Sequence, residues 1–326
     1  MNNPLITGIH ANMIGVKDSA ALETIFHDAL EWDIVAKGLL SQDVCRHLWQ
    51  VASPADVTVL APRYVPYGRV HLLRFPKSTP SLIENVGPRT YGFWPINAYV
   101  RDMDDVRKRV VKAGGVWGNE VHFEITSLDG TTQKVHQGRA ILPDGAGIVF
   151  VIPTITRWTA TWFKDESAYC TEATSVIVAV PDVDISKAFW GPEGLGLEIR
   201  YDTSSSNSEL NRMAGLESDA VVRLAFGWGE KTARVEILGR GDDPYTHVPS
   251  ADLTERQRPG ISLGNIGWVV CVEDLDVALP AIERQGGRCV AQPINLDNEI
   301  HGQRRVCTVQ TPEGTWISIW EGQEVV

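Results

Sequence analysis

Three side chains with acid–base chemistry stand in strands that are otherwise apolar. They are His10 in Ile9-His-Ala-Asn-Met-Ile-Gly-Val16, His71 in Arg69-Val-His-Leu-Leu73, and Glu236 in Val235-Glu-Ile-Leu238. Imidazoles give and take protons near neutral pH, so His10 and His71 form a candidate proton-transfer pair. Ordinary histidines with satisfied hydrogen bonds are the plain alternative. Glu236 is a candidate general acid or base unless it pairs with Arg234, which shares its face two residues away, or with Arg223. Asn12, Asn97 and Tyr99 are polar among apolar neighbours, suited either to hold a carbonyl or enolate oxygen or to brace strands. His122-Phe-Glu124 and His136 form a histidine–carboxylate cluster close in sequence.

The elements that position these residues repeat. Ile266-Gly-Trp-Val-Val-Cys-Val272 alternates as a strand and is followed by Glu-Asp-Leu-Asp276, a helical stretch to Gly286-Gly287, and a last strand after Thr311-Pro-Glu-Gly314. Ile96-Asn-Ala-Tyr-Val100 is followed by Arg-Asp-Met-Asp104, a helix with Val106, Val110 and Val111 on one side, Gly114-Gly115, and Leu142-Pro-Asp-Gly145 before Ile148-Val-Phe-Val-Ile152. The spacing from Val100 to Gly114 equals that from Val272 to Gly286. The glycine pairs suit left-handed helix ends, and the Pro-Asp/Glu-Gly triplets suit turns. A second pair of copies begins at Ile9 and at Ser175-Val-Ile-Val-Ala-Val180, with Asp18 and Asp182 placed to cap the following helices. The modules fall at about 5–75, 91–154, 172–240 and 262–322, in two tandem pairs.

This repeat resembles the βαβββ module of the vicinal oxygen chelate superfamily of glyoxalases, extradiol dioxygenases, epimerases and bleomycin-type resistance proteins. The resemblance implies an α+β fold with four modules paired into two open eight-stranded barrels. It divides the chain into a first domain at 1–152, a linker at 153–171 and a second domain at 172–326, with one cup expected from modules one and two and another from modules three and four. Metal-using members place His, Gln or Glu on the first strand of a module and usually Glu on the last, around Fe, Mn, Zn or Ni. Those positions fall on His10 and His71 in module one, provided the loop holds one extra residue; otherwise Ala11 replaces His10. They fall on Pro95 and Val149 or Phe150 in module two, Ser175 and Glu236 in module three, and Gly267 and Ser318 in module four. The family's triad is therefore absent, and no cofactor is favoured. An irregular site completed by His122, Glu124 or His136 is the way a divalent metal would enter.

Composition narrows the partners. The chain has 326 residues, 43% of them hydrophobic, and a net charge of −11, which disfavours nucleic acid and anionic lipid. Met1-Asn-Asn-Pro-Leu-Ile-Thr-Gly8 lacks a signal-peptide pattern and no later run is long enough to span a membrane, so a cytoplasmic location is expected. The five cysteines contain no CxxC pair and read as reduced core thiols, with Cys271 alternating toward a pocket. Among the eleven tryptophans, Trp228, Trp316 and Trp320 line a pocket or fill a core, and Trp268 alternates to the helix side. Trp158, Trp162 and Phe163 mark a linker that docks on the surface, Ser204–Ser208 reads as a flexible loop, and Gly239–Gly260 is long enough to cover a cup mouth. No GxGxxG, P-loop, GxSxG or HExxH is present.

The sequence thus reads as a small-molecule enzyme without the metal triad, a proton-transfer isomerase or non-hydrolytic lyase acting on an apolar or aromatic carbonyl or phenol compound. His10 and His71 would exchange the proton, with Glu236 taking that role if the second cup is the active one. Asn12, Asn97, Tyr99, Arg234, Ser175, Ser318 and Cys271 would face the substrate. A metal-dependent dioxygenase or glyoxalase and a metal-free binding or resistance protein are the competing readings, and a homodimer is left open.

Overall fold

The computed structural model describes residues 6–63, 65–76, 91–93, 95–126, 128–153, 159–213, 216–229, 234–240 and 257–322. Module one contains β1 (Ile6–Val16), α1 (Ser19–Thr24), β2 (Asp33–Leu40), α2 (Gln42–Trp49), β3 (Ala55–Ala61) and β4 (Arg69–Arg74). After the short β5 (Gly92–Phe93), module two contains β6 (Ile96–Val100), α3 (Met103–Lys112), β7 (Val116–Thr126), β8 (Thr132–Ile141) and β9 (Gly147–Pro153). The connecting α4 (Ala160–Lys164) leads to module three, with β10 (Cys170–Ala179), α5 (Val183–Trp190), β11 (Glu198–Ser205), α6 (Ser208–Met213), β12 (Val222–Trp228) and β13 (Arg234–Arg240). Module four contains β14 (Gly264–Val272), α7 (Leu275–Arg284), β15 (Arg288–Asn298), β16 (Gly302–Gln310) and β17 (Trp316–Glu321).

One sequence device starts the first helix of every module. Asp18, Asp102, Asp182 and Asp274 each leave a first strand in extended conformation and accept a hydrogen bond from the first turn of α1, α3, α5 and α7. Each such cap contributes about 1 kcal/mol and fixes where strand becomes helix. Gly114 and Gly286 take φ of +102° and +80° after α3 and α7, where a side chain would be strained. On α3, Val106 and Val110 are buried at i and i+4, whereas Val111 is 52% exposed and does not share their face.

The strands form two sheets of the same design. One has the order β15-β16-β17-β14-β1-β4-β3-β2 and the other β11-β12-β13-β10-β6-β9-β8-β7, with β5 added beside β10. Within each module the first strand runs parallel to the last, as β1 does to β4 and β10 to β13. Two modules join where their first strands pair antiparallel, β1 with β14 and β6 with β10. The cups therefore come from modules one and four and from modules two and three, not from one and two and from three and four as expected. Each first strand has one backbone edge left after bonding its own last strand, and any of three other modules could satisfy it. Side-chain fit across that edge makes the choice.

The largest core lies on the helix sides of both sheets and draws on all four modules, including Trp32, Phe150, Trp190 and Trp268. Trp268 and Val269 fall on opposite sides, Trp268 in this core and Val269 in the 1/4 cup, as alternation predicts. Among the described residues no helix is long and apolar enough to cross a membrane. Of the 153–171 segment, Trp158 lies outside the described residues, Trp162 is part-buried beside Tyr99, and Phe163 is 73% exposed. Most of Gly239–Gly260 also lies outside them. Ser204 and Ser205 end β11 and Ser208 opens α6, so the expected flexible loop is short.

Candidate functional site

The two cups differ in what fills them. In the 1/4 cup, α2 crosses from module one to module four. Ser41 caps it by accepting from the Val44 amide, Gln50 closes it in the left-handed conformation, and His47 Nε2 meets Gln292 O at 2.8 Å. Its spacing presents Cys45, Leu48 and Trp49 to the cup, where they pack with Val57, Leu73, Val269, Cys271, Val306 and Trp320. About 250 Å³ of space remains, lined in part by Trp49, His71, His301 and Ser318.

His10 and His71 do meet in this cup, with ring centroids 5.6 Å apart. A register shift between Ile9 and Ala11 leaves His10 in a bulge of β1, so that it joins Ala11 and Met13 on the cup side. The bulge lies within β1 and not in the loop after it, and the register makes Ala11 the counterpart of Ser175, since Met13 pairs with His71 as Ile177 pairs with Glu236. The Trp320 indole packs against three imidazoles, 4.6 Å from His10, 5.6 Å from His71 and 4.8 Å from His301. His301 had no signal in the sequence because the turn that carries it lies in no motif; Asn298 Oδ1 fixes it at 3.0 Å from Nδ1. Burial holds all three histidines below the ordinary imidazole pKa, His301 at about 3, and the cations Arg69 and Arg304 add to the effect. Neutral imidazole is their resting form.

Asn12 does not face this cup. Its register partners, Trp268 and Val70, belong to the helix-side core, and neighbours across a strand pair share a face. Its amide is buried with neither atom hydrogen-bonded. Ser318 is on the cup side and accepts from Trp320 Nε1 at 3.2 Å, while Cys271 is fully buried among the apolar filling.

The 2/3 cup is open, with about 960 Å³ of space including its mouth. Its walls are apolar, among them Phe123, Val149, Val151, Ile177, Phe226 and Leu238. Here the insert helix α6 does not fill the cup but lies at its mouth. Asn207 Oδ1 caps it by accepting from the amides of Glu209 and Leu210, Leu210 lines the pocket, and Arg212 Nη2 donates to Glu120 O of module two at 3.1 Å.

A polar network sits at one end of this pocket. Glu236 Oε1 accepts from Asn97 Nδ2 at 2.8 Å, from Ser175 Oγ at 2.8 Å and from Arg234 Nη2 at 2.5 Å. Asn97 Nδ2 also reaches Ser175 Oγ at 2.8 Å, and Arg234 Nη1 points to the Tyr99 hydroxyl at 3.4 Å. The register explains the convergence, since Ser175 lies opposite Asn97 and Ile177 opposite Glu236. Arg234 is itself buried and stacks near Phe226 and Trp228. Burial opposes its charge, but Tyr99 and Glu236 outweigh that and raise its pKa. Arg223 takes no part; it pairs with Asp184 and Asp202.

The sequence-derived residues thus divide between two cups. His10, His71, Ser318 and Cys271 belong to one; Asn97, Tyr99, Ser175, Arg234 and Glu236 belong to the other. His122 and Glu124 are exposed on the outer face of β7, and His122 stacks on His136 at 4.0 Å in the 2/3 sheet. They cannot complete a site with His10 and His71, and no group of three metal-ligating side chains occurs among the described residues. The family's ligand positions do not fit a metal in either cup. In one, two imidazoles stand beside Gly267 and Ser318 with Trp320 packed against both rings; in the other, Glu236 is the only ligand-type side chain at those positions, with Pro95, Val149 and Ser175 at the rest.

Two curled sheets of paired βαβββ modules define the vicinal oxygen chelate, or glyoxalase-like, fold. Glyoxalase I from Zea mays is 13% identical, with 96% of this chain and 92% of that chain covered at a TM-score of 0.62. A candidate dioxygenase from Bacillus subtilis subsp. subtilis str. 168 is 10% identical, covering 98% of this chain and 86% of that one at a TM-score of 0.55. At such identities the likeness is one of fold. No family model and no curated protein matches the sequence.

Proposed function

We propose that the 2/3 cup is the active site of a small-molecule enzyme that moves a proton next to a carbonyl or phenol oxygen, as an isomerase or non-hydrolytic lyase does. The observation that carries this reading is the asymmetry of Glu236. Three donors converge on Oε1 and, among the described residues, none on Oε2, so one carboxylate oxygen is held and the other is left for a proton from a molecule in the pocket. Asn97 and Ser175 orient the carboxylate. Arg234 and the Tyr99 hydroxyl supply donors for the oxygen on which charge develops, inside largely apolar walls. The substrate has an apolar or aromatic body, matching those walls.

The 1/4 cup supports this chemistry less well. Its histidines are brought together, but α2 and Trp320 leave little room beside them. The test is a turnover screen over carbonyl-bearing aromatic and alicyclic compounds, run in deuterated water to detect exchange of the carbon-bound proton. Exchange abolished by Glu236→Gln in folded protein is the expected result. Exchange that survives this substitution would refute the assignment, and ligand binding with no exchange or turnover would identify a binding protein instead.

A further inference from the structure

The polar side chains lining the 2/3 pocket do not all belong to the Glu236 network. Gln137 on β8 faces the same open space, on the side of the strand that also carries Val135, and is only 9% exposed. Its carboxamide offers one acceptor oxygen and two N–H donors. Among the described residues no hydrogen-bond partner meets that group. A carboxamide held in an apolar wall without a partner is costly, and a bound molecule that brings a complementary group recovers the cost.

The strand register fixes where Gln137 lies relative to the network. It is opposite Val151 on β9, and Val151 is opposite Tyr99 on β6. On its other side it is opposite Val121 of β7, and Val121, Val151 and Tyr99 pack in one cluster on the cup side. Two interstrand steps put its backbone roughly 10 Å from that of Tyr99, and less across the curved cup. The Tyr99 hydroxyl in turn lies 3.4 Å from Arg234 Nη1. The pocket therefore has two polar ends, the charged network and a neutral carboxamide, with the apolar Val151 between them. A neutral group gives up less hydration on reaching Gln137 than an ion does, and a hydroxyl, which both donates and accepts, matches a group that does the same.

We propose that the 2/3 cup takes an elongated, fused-ring carbonyl compound with an uncharged hydroxyl at its far end: the carbonyl oxygen meets Arg234 and Tyr99, the apolar body lies along Val151, and the hydroxyl meets Gln137. This deepens the active-site reading above and rests on it. Gln137 is then a specificity-determining residue that selects the length and polarity of the substrate and takes no part in the proton transfer.

The experiment titrates the full chain, by calorimetry, with β-tetralone and with the β-tetralone that carries a hydroxyl on the aromatic carbon farthest from the ketone. Burial in an apolar wall alone favours the ketone without the hydroxyl. Wild type should instead bind the hydroxy ketone at least about fivefold more tightly, the range of one buried hydrogen bond. Gln137→Met, close to glutamine in size, should bring the two ketones within about twofold of each other, whereas general damage to the cup would weaken both and keep their ratio. Gln137→Leu gives the same reading if the methionine variant does not fold. Equal affinities in wild type overturn the proposal, and so does a preference for the hydroxy ketone that these variants retain. Leu210→Trp, at the mouth, locates the binding. If it weakens β-tetralone binding and no hydroxyl preference exists, the substrate class alone is removed. If neither ketone binds, or neither responds to Leu210→Trp, the cup is not the binding chamber, and the active-site reading falls with the substrate class.

Discussion

The 1/4 and 2/3 cups are assembled from corresponding strands in corresponding order, and each receives an insert helix from its partner-crossing module, α2 in one and α6 in the other. The inserts differ in what they bury. α2 sends Cys45, Leu48 and Trp49 inward onto Trp320, whereas α6 contributes Leu210 to a wall and leaves the interior open. One duplicated architecture thus yields a core and a pocket. The difference arises in the variable region between the second and third strands, not in the strands that define the fold.

The sharpest way to break this comparison is to exchange the chemistry between cups. Glu236→Gln should lower kcat by roughly a hundredfold or more, while His71→Phe should leave kcat within about threefold. Steady-state kinetics on a substrate from the screen decides between them, and the reverse ranking would move the reaction to the 1/4 cup. Stability should rank the cups the other way. Trp320→Ala should cost about 3–5 kcal/mol in urea unfolding, and Phe226→Ala, at an open wall, about 1–2 kcal/mol.

Acid should act on the filled cup. The folded pKa values of His10, His71 and His301 lie below the ordinary imidazole value, so the unfolded chain binds more protons as pH falls below about 6.5. Stability is full above that pH and is lost below it, by up to about 1.4 kcal/mol per pH unit for each histidine. His71→Phe should flatten the pH dependence of the unfolding midpoint between pH 6.5 and 4.5.

A smaller effect of opposite sign sits at the seam between modules three and four. Glu313, in the turn before β17, accepts from Ser186 of α5 at 3.3 Å, and burial raises its pKa to about 7. A raised carboxylate pKa means the folded state holds the proton longer, so stability falls as pH rises from about 4.5 to 7. Glu313→Gln should therefore gain about 1–2 kcal/mol at pH 8 and little at pH 5, by thermal unfolding at both values.

The fold was legible because its signals are local and repeated. Asp caps, left-handed glycines and Pro-Asp/Glu-Gly turns recur at matching offsets. Glu236 and Ser175 could be placed in one cup because each is polar on an apolar strand, whereas Asn97 and Tyr99 were expected beside His10 and His71 and meet Glu236 and Arg234 only because module two pairs with module three. Partner choice between modules was not legible, since the free edges of four first strands are equivalent as backbone. Asn12 was misplaced because the bulge at His10 changes which residues of β1 share a face. His301 and the filling by α2 depend on residues far apart in sequence and leave no pattern in either segment.

The nesting of one sheet's modules inside the other's also sets an order of assembly. β6 and β10 pair across a short stretch of chain, but β1 must keep its bonding edge until β14 exists. At roughly 5–20 residues per second, module one leaves the ribosome about 10–40 seconds before its partner strand. For that interval an apolar strand edge is open to whatever else the cell is making. The filled cup is thus the one whose completion waits for the fourth module.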